Sequence, residues 1–150
     1  MDAMERSRRS EILVPPNAHQ PLQRGNIGAI VADRAQGLKM KVIAFDPFLS
    51  EERAENLGVE KVTLEALLPR ADFISLHTPL TDQTRNILGA DALNKTKPGV
   101  RIVNCARGGL VDELALKAAI ESGHVAGAAL DVFAEEPAKD NPLFGMEQVV

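Results

Sequence analysis

Short apolar runs alternating with helix-patterned stretches constrain this chain more than any other feature. The runs are 41–45 (KVIAF), 72–76 (DFISL), 100–104 (VRIVN) and 125–130 (VAGAAL). Helical stretches separate them. Ser50 is placed to cap a helix over 51–57, with Glu51 and Glu52 in its first turn and Gly58 at its end. Thr63 caps a short helix of Leu64, Leu67 and Leu68, halted at Pro69, and another short helix is expected around 90–93. Asp112 caps a helix whose inward residues are Leu116, Ala119 and Ile120, with Gly123 at its exit. Strands that alternate with helices imply crossover connections, hence an α/β fold, a doubly wound parallel sheet with helices on both faces. Unbroken apolar strands are what a sheet covered on both sides requires. Glu11-Ile12-Leu13-Val14 reads as one further short strand and Val149-Val150 as the start of another.

The helix before the first of these runs has its own signature. Gly25 and Gly28 open a stretch in which Ile27, Ile30, Val31, Ala35 and Leu38 recur at helical spacing, predicting one apolar face. Glycines at a strand-to-helix turn let backbone N–H groups approach a pyrophosphate and let the helix pack closely. A Gly-x-x-Gly pair alone fits a plain loop-to-helix junction equally well.

Composition removes several alternatives. The 150 residues carry a net charge of -4, which leaves no basic footprint for nucleic acid. Arg6, Arg8 and Arg9 lie next to Asp2, Glu5 and Glu11 and read as a solvated tail. The single cysteine excludes an internal disulfide, no apolar run is long enough for a membrane span, and no secretory leader is recognisable. A cytoplasmic protein without nucleic-acid or membrane partners is expected. His77 and His124 lack metal-ligand spacing, so no metal is expected.

In an open parallel sheet, ligands bind outside the carboxyl ends of the strands. The four runs end in Asp46, in His77-Thr78-Pro79, in Cys105-Ala106-Arg107 and in Asp131. Asp46 lies about 20 residues beyond the glycine turn, the spacing of a carboxylate that accepts hydrogen bonds from an adenosine ribose. No arginine follows directly to receive a 2′-phosphate, which favours NAD over NADP. A turn role before Pro47 is the alternative. Arg107, between a strand and two glycines, can pair with a substrate carboxylate or be a surface residue of a tight turn. Glu136 can orient a histidine or belong to a solvated acidic loop. Cys105 has no evident base beside it, so a cofactor-facing or buried thiol fits better than a nucleophile.

The segments 41–47 (KVIAFDP), 77–81 (HTPLT), 104–113 (NCARGGLVDE) and 127–137 (GAALDVFAEEP), in this order, resemble the D-isomer-specific 2-hydroxyacid dehydrogenases. The resemblance covers about 22–150 and implies a Rossmann-type sheet and hydride transfer between NAD and a 2-hydroxy or 2-keto acid. By matching positions it implies cofactor contacts at Gly25, Asn26, Ile27, Gly28, Asp46, Thr78, Cys105, Ala106, Arg107 and Asp131. Asp131 would face the nicotinamide carboxamide. Arg107 would bind the substrate carboxylate and keto group, and Glu136 would partner a catalytic histidine. A homodimer through the cofactor domain is also implied.

The departures shape the expectation. Gln23 stands where the family's first glycine belongs, and 18–21 (AHQP) replaces the apolar strand that leads into the turn. That strand is expected to be degenerate, with Ile12-Leu13-Val14 a candidate to fill the slot. The family's Pro-His pair and substrate domain match nothing in these residues. The sequence therefore reads as an unmatched segment, 1–21, joined to a cofactor domain, 22–150, inactive alone. A non-catalytic NAD-binding or protein-interaction module is the second reading.

Overall fold

The computed structural model describes residues 11–13 and 27–150. Val14, Gly25 and Asn26 lie outside the described residues. Six parallel strands form one sheet in the order β3-β2-β1-β4-β5-β6. They are β1 (Glu11–Leu13), β2 (Lys41–Ala44), β3 (Glu60–Lys61), β4 (Phe73–Leu76), β5 (Val100–Asn104) and β6 (Val125–Leu130). The two-residue edge strand β3 is too short to announce itself in the sequence. The helices are α1 (Ile27–Gly37), α2 (Glu51–Leu57), α3 (Leu64–Leu67), α4 (Ala90–Lys95) and α5 (Glu113–Glu121).

The order 3-2-1-4-5-6 reverses direction between β1 and β4, which opens a crevice at the carboxyl ends there. The central slot is filled by β1. Ile12 pairs with Val42 on one side and Phe73 on the other, and Leu13 with Ile43 and Ile74. Three residues thus supply the backbone partners that two unpaired inner edges would otherwise lack. At the far side, Val149 forms a parallel bridge to Ala128. The Ala128 N–H donates to Gln148 O, that of Val150 to Ala128 O, and that of Leu130 to Val150 O, at 2.8–3.0 Å. Val149-Val150 is the beginning of a seventh parallel strand, as its composition suggested.

Side-chain alternation along the strands divides the core in two. On one face Val42 and Ala44 of β2 pack with Ala32 and Ala35 of α1 and Ala54 of α2. On the other, Ile43, Ile74, Leu76 and Ile102 pack with Leu67, Leu93 and Leu116. These are small and aliphatic side chains, consistent with an aromatic content of 3%. Truncating any of the buried leucines to alanine would cost about 2–5 kcal/mol.

The caps hold the helices as their sequences dictate. Ser50 Oγ accepts the Arg53 N–H, Thr63 Oγ1 that of Ala66, and Asp112 Oδ1 that of Ala115, at 3.0–3.2 Å. Gly58 closes α2 at φ 67°, a left-handed conformation that glycine adopts without a Cβ penalty.

The inward face of α1 differs from the one expected. Gly28, Ala32 and Ala35 are buried, whereas Ile27, Ile30 and Leu38 are exposed by half or more. Close packing of the helix on β2 selects the smallest residues, and the larger aliphatics are turned outward. Periodicity located the helix, but size complementarity decided its orientation.

Candidate functional site

Burying a polar side chain is unfavourable unless it is hydrogen-bonded, so the places where this fold does so are informative. Among the described residues the buried polar side chains are Asp46, Ser75, Thr96 and Asn104. Three of them sit at or next to the carboxyl ends of β2, β4 and β5. The fourth, Thr96, caps the end of α4 through Leu93 O at 2.7 Å and meets His124 Nε2 at 3.1 Å.

Asp46 lies two residues beyond the end of β2 and is 4% exposed. Its Oδ1 accepts the Phe48 N–H at 2.8 Å, which fixes the carboxylate at the strand end. The structure therefore gives this aspartate both a turn role and a place beside the crevice.

At the end of β4, Ser75 Oγ and His77 Nε2 lie 2.7 Å apart. Burial disfavours the charged imidazolium and lowers the His77 pKa below 6.5. His77 and Thr78, just beyond the carboxyl end of β4, are both half-buried. Leu88 and Val111 bridge the segments that follow β4 and β5.

Asn104 organises the loop after β5. Its Oδ1 accepts the Ala106 N–H at 3.1 Å and its Nδ2 donates to Arg107 O at 3.0 Å. The side chain thus replaces the ladder that the departing strand gives up. Cys105 and Arg107 are exposed by this turn, and Arg107 Nη1 donates to Ala106 O at 2.6 Å. The Asp131 N–H donates to Asn104 O at 3.0 Å, so the ends of β5 and β6 are joined where both chains leave the sheet.

The loop after β6 packs on the loop after β5 through Gly108. A methyl group there would overlap the carbonyl oxygen of Phe133 and lie 3.1 Å from Ala134 N. Only a residue without a Cβ permits this backbone-to-backbone approach. Glu136 Oε1 accepts the Phe133 N–H at 3.1 Å. Arg107 and Glu136, far apart in sequence, therefore belong to two loops in direct contact, one residue from Gly108 and three from Phe133 respectively.

Glu113, in the first turn of α5, fastens the same loop from the other side. Its Oε1 accepts the Ala134 N–H at 2.7 Å and its Oε2 the Asn141 Nδ2 at 2.8 Å. Glu113, Ala134 and Asn141 share the lining of an open surface pocket of about 710 Å³ with Val111, Leu114 and Pro142.

Asp46, Thr78, Cys105, Ala106, Arg107 and Asp131 thus all lie at the carboxyl-end side of the sheet, beyond β2, β4, β5 and β6. Ile27 and Gly28 begin α1; Gly28 is buried and Ile27 exposed. Sequence reading missed Ser75, Asn104, Gly108 and Glu113 as organisers. The order of residues around Asn104 carried a signal, an Asx two positions before a loop amide. Glu113 offered none, since its partners are 21 and 28 residues away.

This arrangement defines a dinucleotide-binding domain, and comparison with known proteins specifies it. Residues 23–150 match the family described as D-isomer specific 2-hydroxyacid dehydrogenase, NAD binding domain. The chain is 56% identical over 119 residues to the D-3-phosphoglycerate dehydrogenase of Bacillus subtilis, covering 79% of this chain and 23% of that protein. It is 50% identical over 127 residues to the D-3-phosphoglycerate dehydrogenase of Methanocaldococcus jannaschii, covering 84% and 24%. Among solved structures it superposes on a glyoxylate reductase from Paecilomyes thermophila with a TM-score of 0.79 at 37% identity, covering 95% of this chain and 40% of the other. The holo form of Rhodotorula graminis D-mandelate dehydrogenase gives 0.80 at 33%, covering 95% and 41%. The chain belongs to the D-isomer-specific 2-hydroxyacid dehydrogenase family and forms its NAD-binding domain. It spans about a quarter of the length of the curated relatives it matches. Among the described residues no helix is long and apolar enough to cross a membrane.

Proposed function

We propose that this chain is the cofactor half of a 3-phosphoglycerate dehydrogenase-like enzyme, which transfers hydride between NAD and a 2-hydroxy or 2-keto acid in the cytoplasm. The observation that carries this is the junction of the Arg107 and Glu136 loops at Gly108 and Phe133. A module that only held NAD would have no use for the guanidinium and the carboxylate that these two touching loops carry. The segments 46–50 (DPFLS) and 141–144 (NPLF), and the names of the relatives above, support the phosphoglycerate type.

Within this reading Asp46 accepts the ribose hydroxyls, and backbone groups at 25–28 receive the pyrophosphate. Thr78, Cys105 and Ala106 line the cofactor, and Asp131 holds the nicotinamide carboxamide. NAD supplies the hydride acceptor when bound. Arg107 grips the substrate carboxylate with its fixed fork of donors. Glu136 orients a histidine contributed from outside these 150 residues and stabilises its protonated form. Such a general acid/base supplies ~10²–10⁴-fold in rate. The chain is further proposed to pair with a second copy through this domain.

These roles are separable. Glu136→Gln should leave NAD⁺ affinity little changed, while Asp46→Asn weakens it. An NADH-linked assay of the chain alone with 3-phosphohydroxypyruvate should show no turnover. Robust turnover would contradict the external histidine, and sedimentation as a monomer would contradict the dimer.

A further inference from the structure

Glu113 has no place in the roles above, yet it makes two of the longest-range side-chain bonds in the site. Its carboxylate ties the first turn of α5 to the Ala134 N–H and to the Asn141 side chain, in the lining of an open pocket. The loop it reaches, 131–137, begins at Asp131 and carries Glu136. That loop has two anchors toward β5 and the turn after it: the Asp131 N–H on Asn104 O and the Gly108 contact with Phe133; the Glu136 bond to the Phe133 N–H closes the loop on itself. Glu113 supplies the opposing anchor. Without it Ala134 N–H and Asn141 Nδ2 lose their acceptor, and the loop can lift from α5.

We propose that Glu113 is a positioning residue, holding the loop 131–137 so that Asp131 and Glu136 face the cofactor crevice. This rests on the functional reading of the preceding section. The donor and acceptor roles are fixed by the structure. Asn141 Oδ1 accepts the Leu143 N–H at 3.0 Å, so its amide group must turn the NH₂ toward Glu113. Glu113 in turn must accept from both of its partners.

That assignment permits an exchange of chemistry between the two positions. Glu113→Gln alone sets an NH₂ group against the Asn141 NH₂. Asn141→Asp alone sets two carboxylates against each other. In the double variant the amide introduced at position 113 donates to the new carboxylate and still accepts the Ala134 N–H, while the carboxylate still accepts the Leu143 N–H. All bonds are restored with the chemistry reversed.

The test measures NAD⁺ affinity by calorimetry and amide exchange at Ala134 by NMR, in the wild-type chain, both single variants and the double. Each single variant should weaken NAD⁺ binding and speed Ala134 exchange roughly tenfold, the worth of one hydrogen bond to a charged group. The double variant should return to near wild type in both. A single variant that fails to fold leaves the double decisive, since it must fold and bind. Faster exchange with unchanged NAD⁺ affinity would overturn the positioning role and leave Glu113 as a structural strut. Singles that match wild type, or a double that does not recover, would overturn the pairing itself. A wild-type chain that does not bind NAD⁺ would overturn the functional reading instead, a result distinct from all of these.

Discussion

Gly108→Ala should be among the most damaging single substitutions in this protein, out of proportion to the one methyl group it adds. Gly108 is not among the glycines with positive φ, so alanine can adopt its backbone conformation and the whole cost is steric. The new methyl would overlap the Phe133 carbonyl oxygen, with Ala134 N at 3.1 Å. Both neighbours are backbone atoms, and neither can turn away as a side chain would. Overpacking costs about 1–3 kcal/mol when side chains can yield, and the upper end applies here. For a domain of this size each kcal/mol lowers Tm by roughly 2–4 °C, so about 3 kcal/mol lowers it by roughly 6–12 °C. Thermal melts followed by circular dichroism measure this. Gly99→Ala is a useful control, because Gly99 has φ +86° and open space around its Cβ position, which leaves backbone strain alone. A Gly108→Ala protein that melts within about 2 °C of wild type would show that the two loops are not in contact as described.

Two further outcomes follow from the strands and from His77. If β1 fills the central slot, the amides of Ile12 and Leu13 are protected from hydrogen exchange, and Leu13→Pro, which removes a ladder donor, destabilises the fold by about 3 kcal/mol or more; rapid exchange at both amides would contradict the pairing. Burial holds the His77 pKa below its unfolded value of 6.5, so the unfolded chain binds more protons as pH falls past that point. Stability should therefore decline below about pH 6.5 until the lowered native pKa is passed. Urea midpoints across this range should fall less steeply in His77→Gln, and an unchanged slope would refute the assignment.

The sequence carried the architecture because its signals were local. Ser50, Thr63, Asp112 and Gly58 mark helix ends through partners within a turn, and all four act as caps where expected. The polar residues closing each strand marked the crevice for the same reason, since a parallel sheet places every carboxyl end on one side. What escaped reading was non-local. The orientation of α1 depends on how closely β2 lets a helix approach, and the outward turn of Ile27, Ile30 and Leu38 is set by that contact. Gly108 looked like one glycine of a pair, although its partner is the backbone at Phe133. Glu113 looked like an ordinary acid in a first helical turn. Its second use, as acceptor for Ala134 and Asn141, exists only once β6 has returned the chain beside α5.

These residues form an NAD site although Gln23 stands where the family has a glycine of the turn. Isothermal calorimetry of the chain with NAD⁺, beside Asp46→Asn, tests it most directly. Asparagine keeps an acceptor for the Phe48 N–H but loses the charge offered to the ribose. Saturable binding is expected, weakened about tenfold or more in Asp46→Asn, with Tm little changed. Absence of binding by the wild-type chain, or equal affinity in the two proteins, would contradict the account.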